Sequence, residues 1–237
     1  MARSSQGANF TLNRAASHAG SWYTSDGYTL NRQLDEWLKQ AGGMNSASVP
    51  EQRAIVAPHA GYSYSGPTAA YAYRVIVPSN VKRVFILGPS HHYRLQGCAL
   101  SRTKEYETPL YNLKLDTSLI EELHSTGNFE WMSQTTDEDE HSIEMHLPYI
   151  AKVMEGCSFT IVPVLVGNLN RKAEQFYGHL FSKYLADKEN FFVISSDFCH
   201  WGKRFSYKHY DKRNGTISQH IENLDKALSR VFTNFRV

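Results

Sequence analysis

Long apolar runs are missing from this 237-residue chain. No stretch approaches the 18 or more apolar residues that a membrane-spanning helix needs, so no membrane span is expected. The opening MARSSQGANFTLNRAA has no apolar h-region, which argues against a secretory signal. Cysteine is scarce. Cys98, Cys157 and Cys199 are the three present, and their spacing fits neither a disulfide framework nor a zinc knuckle, so a reducing compartment is expected. We expect a cytoplasmic protein, with nuclear entry left open. An excess of either charge is lacking too: Lys and Arg number 25 against 23 Asp and Glu. Without a basic stripe, nucleic acid is not the expected partner. Gly-x-Gly-x-x-Gly, a Walker loop and Gly-x-Ser-x-Gly are all absent, which counts against dinucleotide, nucleoside-triphosphate and serine-hydrolase chemistry.

What the chain does contain is a repeated design. Arg53-Ala-Ile-Val-Ala-Pro-His59 and Arg83-Val-Phe-Ile-Leu-Gly-Pro-Ser-His91-His92 are apolar, strand-like runs that end on histidine. A third, Asn190-Phe-Phe-Val-Ile-Ser-Ser-Asp197-Phe-Cys-His200, ends on a carboxylate and an imidazole. In open α/β sheets, ligands bind at the carboxyl edge of parallel strands. Imidazoles converging on that edge suggest a metal or acid–base site.

Between the runs the apolar spacing turns helical. Leu30, Leu34, Trp37 and Leu38 predict one helix, and Gly42-Gly43 ends it. Gly61 to Gly66 is expected to be a turn, followed by a helix from Ala69 that Pro78 stops. Helices are also predicted over 116–124, 173–185 and 217–232, with strands at 159–166 and 191–194. Residues 135–141 look like an acidic patch, and Pro148 should kink or delay a helix opened by Ser142. This alternation predicts an α/β fold with a mostly parallel or mixed central sheet. A loose arm over 1–16 and a single domain over 17–237 complete the expectation.

His59 and His91 are the expected metal ligands, since neutral imidazole suits iron, copper, zinc or nickel. Asp197 is either a third ligand or an orienting carboxylate. His200 is a general-base candidate, because its free pKa is near 6.5. Glu144 and His146 flank Met145 too closely for His-Glu-x-x-His; Glu144 could bond a site histidine while His146 is structural. His18, His92, Tyr62 and Cys199 are further pocket candidates, Cys199 for thiolate character. Tyrosines near the first histidine suit an aromatic substrate or a peptide equally.

SHAGSWY, APHAGYSYSG, RVFILGPSHH, YETPLYNLKLD, TDEDEHSIEMHLPYIAKVM, FTIVPVLVG, LFSKYLAD and SSDFCHWGKRF closely resemble the Memo family, from Ser17 to about Lys226. The resemblance implies a three-layer α/β sandwich related to class III extradiol ring-cleaving dioxygenases, with non-haem iron or copper and redox character. It places His59 and His91 at ligand positions and Asp197 and His200 in the pocket. It also implies a signalling role linking receptor tyrosine kinases to the cytoskeleton and cell motility, through a phosphotyrosine-bearing receptor tail or adaptor. A metal-dependent oxidoreductase acting on a small aromatic substrate is the alternative. After Lys226 the sequence departs from the family pattern, so the fold is expected to be C-terminally truncated and to lack the family's third ligand, a cysteine.

Overall fold

A computed structural model describes residues 10–44 and 52–233. In chain order the strands are β1 (Thr11–Arg14), β2 (Ala54–Ala57), β3 (Arg83–Pro89), β4 (Cys98–Leu100), β5 (Thr103–Tyr106), β6 (Leu113–Lys114), β7 (Phe129–Trp131), β8 (Thr160–Val166) and β9 (Asn190–Ser195). The α-helices are α1 (Gly27–Gln40), α2 (Tyr62–Tyr73), α3 (Thr117–Ser125), α4 (Gln134–Asp139), α5 (His141–Glu144), α6 (Leu147–Val153), α7 (Arg171–Ala186) and α8 (Ile217–Thr233). They group into two compact units, Met1–Ser196 and Asp197–Val237, where one domain over 17–237 was expected.

The first unit carries a six-stranded sheet in the order β2-β9-β3-β8-β4-β7. β2, β9, β3 and β8 run parallel, and β4 turns antiparallel against β8. A smaller sheet orders β1-β5-β6. Alternation along β3 shows how helices cover the large sheet. Phe85 packs on Phe181 of α7, whereas Gly88, three residues on, lies against Ser142 and Ile143 of α5. Odd and even positions of a strand face opposite ways, so α5 and α7 lie on opposite faces. The result is the expected three-layer α/β sandwich.

Local chemistry explains most boundaries. α1 starts where Asp26 accepts the Thr29 N–H at 2.8 Å and buries Leu30, Leu34 and Leu38 on one stripe. It ends before Gly42, at φ +103°. Asp116 and Asn170 cap α3 and α7 in the same way as Asp26. Two expectations need correction. The Gly61–Gly66 turn is instead the first part of α2: Gly66 lets that helix press against Trp37, whose ring would lie 2.5 Å from a Cβ there. Part of the supposed arm is also ordered, because Thr11–Arg14 pairs with β5; residues 1–9 lie outside the described residues. Pro148 separates two short helices, sitting in the first turn of α6, where a missing N–H costs nothing.

The second unit contains α8 and the Asp197–His200 segment. Phe198 there holds φ at 60°, uncommon for a residue with a side chain.

Candidate metal centre

Parallel pairing sets up the site. β2 and β3 both flank β9, so their carboxyl ends, and the histidines that follow, emerge along one edge. The rings of His59 and His91 lie 5.1 Å apart between centroids. A third imidazole joins them. His141, at the start of α5, stacks on His91 at 4.3 Å and meets His59 at 5.5 Å. One ring nitrogen from each of the three lies within 4.8 Å of the others, the spacing of a site that could hold an ion.

Gly88 makes this approach possible. A Cβ there would fall 2.5 Å from the Ser142 hydroxyl, so only glycine lets α5 settle on the end of β3. Ser142 fastens the contact by donating to the Pro89 carbonyl at 2.8 Å.

Hydrogen bonding fixes two of the three ring orientations. The Ser195 hydroxyl, at the end of β9, donates to the Ser142 carbonyl at 2.8 Å. Its single proton is then committed, so the 2.6 Å bond to His59 must be donated by His59 Nδ1–H. That leaves the lone pair of His59 on Nε2. Glu140 holds His91 at two points, accepting from its backbone N–H at 2.7 Å and from Nδ1 at 2.9 Å. The lone pair of His91 is therefore also on Nε2. Carboxylate or hydroxyl partners of this kind fix the tautomer of a metal-ligating histidine. His141 Nδ1 is buried with no hydrogen-bond partner, its distance to Glu140 being 3.6 Å. A buried ring nitrogen without a partner is costly, and one ring nitrogen from each of the three imidazoles supplies a donor set that suits an ion. The residues fit a metal.

The electrostatics point the same way. Burial, reinforced by the neighbouring His91, lowers the pKa of His141 to about 4, so His141 stays neutral and available as a ligand at ordinary pH. Burial raises the Glu140 carboxyl, but hydrogen bonds from the His91 ring, the His91 backbone and Ser142 outweigh this and hold it at about 2. Glu144 is likewise about 2: burial opposes ionisation, whereas His18, Arg14 and Tyr23 together favour it. A neutral His141 imidazole beside the ionised Glu140 carboxylate favours a cation.

The other expected site residues have the following surroundings. Glu144 does bond a histidine, namely His18, through Nδ1 at 2.9 Å. His146 is fully buried, with Nδ1 2.7 Å from the Tyr73 hydroxyl. Tyr62 is a core residue: it is 3% exposed, donates to the Met145 carbonyl and packs on Tyr23, Trp37 and Tyr149. His92 is exposed, its ring 5.9 Å from His141. Asp197 and His200 belong to the second unit, where the carboxylate lies 3.8 Å from His200 Nε2. Cys199 gains no thiolate character, since burial and Asp225 raise its pKa.

Sequence reading missed His141, Glu140 and Ser195. Residues 135–141 read as an acidic patch, yet Asp137 and Glu140 within it are buried, as is Glu144 beyond it. Their spacing of three and four residues was the available signal.

An α/β sandwich with clustered imidazoles at the carboxyl edge of its parallel strands defines the class: a candidate metal-binding α/β protein. The Memo-like protein family model matches residues 14–235, and the chain belongs to that family. It is 59% identical over 221 residues to Protein MEMO1 of Xenopus tropicalis and 58% identical to Protein MEMO1 of Homo sapiens. Each alignment covers 92% of this chain and 73% of the relative. The Protein memo-1 homolog of Caenorhabditis elegans is 52% identical over 214 residues, 90% of this chain and 60% of that protein. No helix among the described residues is long and apolar enough to cross a membrane.

Proposed function

We propose that this chain is a metal-binding Memo-family signalling protein, its ion of iron or copper held by His59, His91 and His141. The observation that carries this reading is the convergence of one ring nitrogen from each of three histidines within 4.8 Å. In this reading a bound ion of this kind supplies redox chemistry. The chain's own residues do the rest: Ser195 and Glu140 aim two of the imidazoles, and Gly88 lets the third approach. The assignment uses residues of the first unit only. Signalling from receptor tyrosine kinases to the cytoskeleton and cell movement is the biological role we attach to this centre. A phosphotyrosine-bearing receptor tail would dock elsewhere, because phosphate recognition uses exposed arginine clusters and Arg14, wired into this network, is 0% exposed.

Metal analysis of the purified protein tests the reading. Wild type loaded with iron(II) or copper(II) should retain about one ion per chain, and the His59→Ala, His91→Ala double variant should retain none. A wild type that binds nothing would sink the proposal. Glu140→Gln should weaken binding roughly 10- to 100-fold in a calorimetric titration, because it loses the charged acceptor that orients His91. Unchanged affinity would remove Glu140 from the centre.

A second reading, an oxidoreductase acting on a small aromatic substrate, has one observation in its favour. The Trp22 ring, 36% exposed, lies 4.5 Å from His141 and offers a flat apolar wall. Oxygen uptake with small catechols would support it; no uptake by the metal-loaded protein would count against it.

A further inference from the structure

We propose that His18 reads the ligand of this centre, as a fixed hydrogen-bond acceptor for a small O–H-bearing molecule bound beside His141; this rests on the metal-centre reading. Glu144 holds His18 the way Glu140 holds His91. One carboxylate oxygen accepts the His18 backbone N–H at 2.9 Å and the other accepts from Nδ1, also at 2.9 Å. The corresponding bonds at His91 are 2.7 and 2.9 Å. Glu144 cannot swing away, since Arg14 Nη1 binds it at 2.7 Å and the Tyr23 hydroxyl at 2.8 Å.

With Nδ1–H given to a carboxylate, His18 carries its lone pair on Nε2. Its side chain is 14% exposed, enough to meet a small molecule. The His18 ring lies 6.0 Å from His141 and 5.6 Å from Trp22. His18 is not one of the three residues whose ring nitrogens converge within 4.8 Å. It therefore stands beside the ion-holding group rather than in it. A preoriented acceptor at that distance suits a bound molecule with a hydroxyl, such as a small oxyacid, and gains nothing from an anion that has no hydrogen to donate.

Cobalt(II)-loaded protein provides the test, with anion binding followed by the visible d–d absorption. Bicarbonate carries one O–H and thiocyanate none. His18→Ala should weaken bicarbonate roughly tenfold and leave thiocyanate within about twofold. His18→Phe, which keeps the ring volume without its nitrogens, should behave alike and serves if the alanine variant unfolds in a thermal melt. Equal loss of both anions, or loss of neither, overturns the role of His18 while leaving the metal centre intact. Failure of wild type to bind cobalt overturns both.

Discussion

Arg14→Met should destabilise the protein by about 3–5 kcal/mol, the scale on which a buried charge is left without its partner. Arg14 is fully buried and makes ion pairs with Glu144 at 2.7 Å and Asp137 at 3.2 Å. It also donates to the carbonyls of Asp137, Glu140 and Ala15. Methionine fills similar volume, so packing loss is small and the cost comes from two carboxylates abandoned in a dry interior. Asp137 would keep bonds from the Ser101 and Tyr106 hydroxyls, both at 2.5 Å. Glu144 would keep Tyr23 and His18. Neither set replaces a full charge. The triple change Arg14→Met, Asp137→Asn, Glu144→Gln should recover part of the loss. Urea denaturation measures both, and a single-variant cost below about 1 kcal/mol would show that Arg14 does not hold the segment together.

Acidification should destabilise the protein well before its carboxylates protonate. Burial, with a smaller contribution from nearby His59, lowers the pKa of His146 from 6.5 to about 3. The folded value lies below the free one, so the unfolded chain takes up the proton first as pH falls. Stability is full above about pH 6.5 and is lost progressively down to about pH 3. Between pH 7.5 and 4.5, His146 alone should cost about 2.5 kcal/mol, at 1.36 kcal/mol per pH unit. His141, held at about 4, acts in the same direction. Glu140 and Glu144, both at about 2, contribute only below about pH 4.5, so the upper window belongs to histidine. A His146→Leu, Tyr73→Phe variant removes the buried pair without stranding either partner, and its stability should fall less steeply over that window. Parallel profiles for variant and wild type would refute the assignment.

Much of this centre was legible in the residues themselves. Arg53–Ala57 and Arg83–Leu87 are short runs rich in β-branched, aromatic and other apolar residues, followed by Pro58 and by Gly88-Pro89, so a strand handing over to a loop before His59 and His91 follows from local chemistry. Leu30, Leu34 and Leu38 mark the buried stripe of α1 for the same reason. Other parts were misread because their partners lie far along the chain. Arg14 sits in a polar stretch that looks like an arm, and only Asp137 and Glu144, more than 120 residues away, turn it into a core residue. Glu140 looks solvated until His91 arrives 49 residues earlier in the sequence.

Sequence alone therefore determined the strand–helix alternation, the family and the two histidines that follow β2 and β3, because hydrophobic period and turn chemistry are local properties. Which third imidazole joins them was decided only in three dimensions. His141 became a site residue because glycine at position 88 admits α5 to the edge of β3. No spacing along the chain encodes that approach; it depends on close packing between segments more than fifty residues apart.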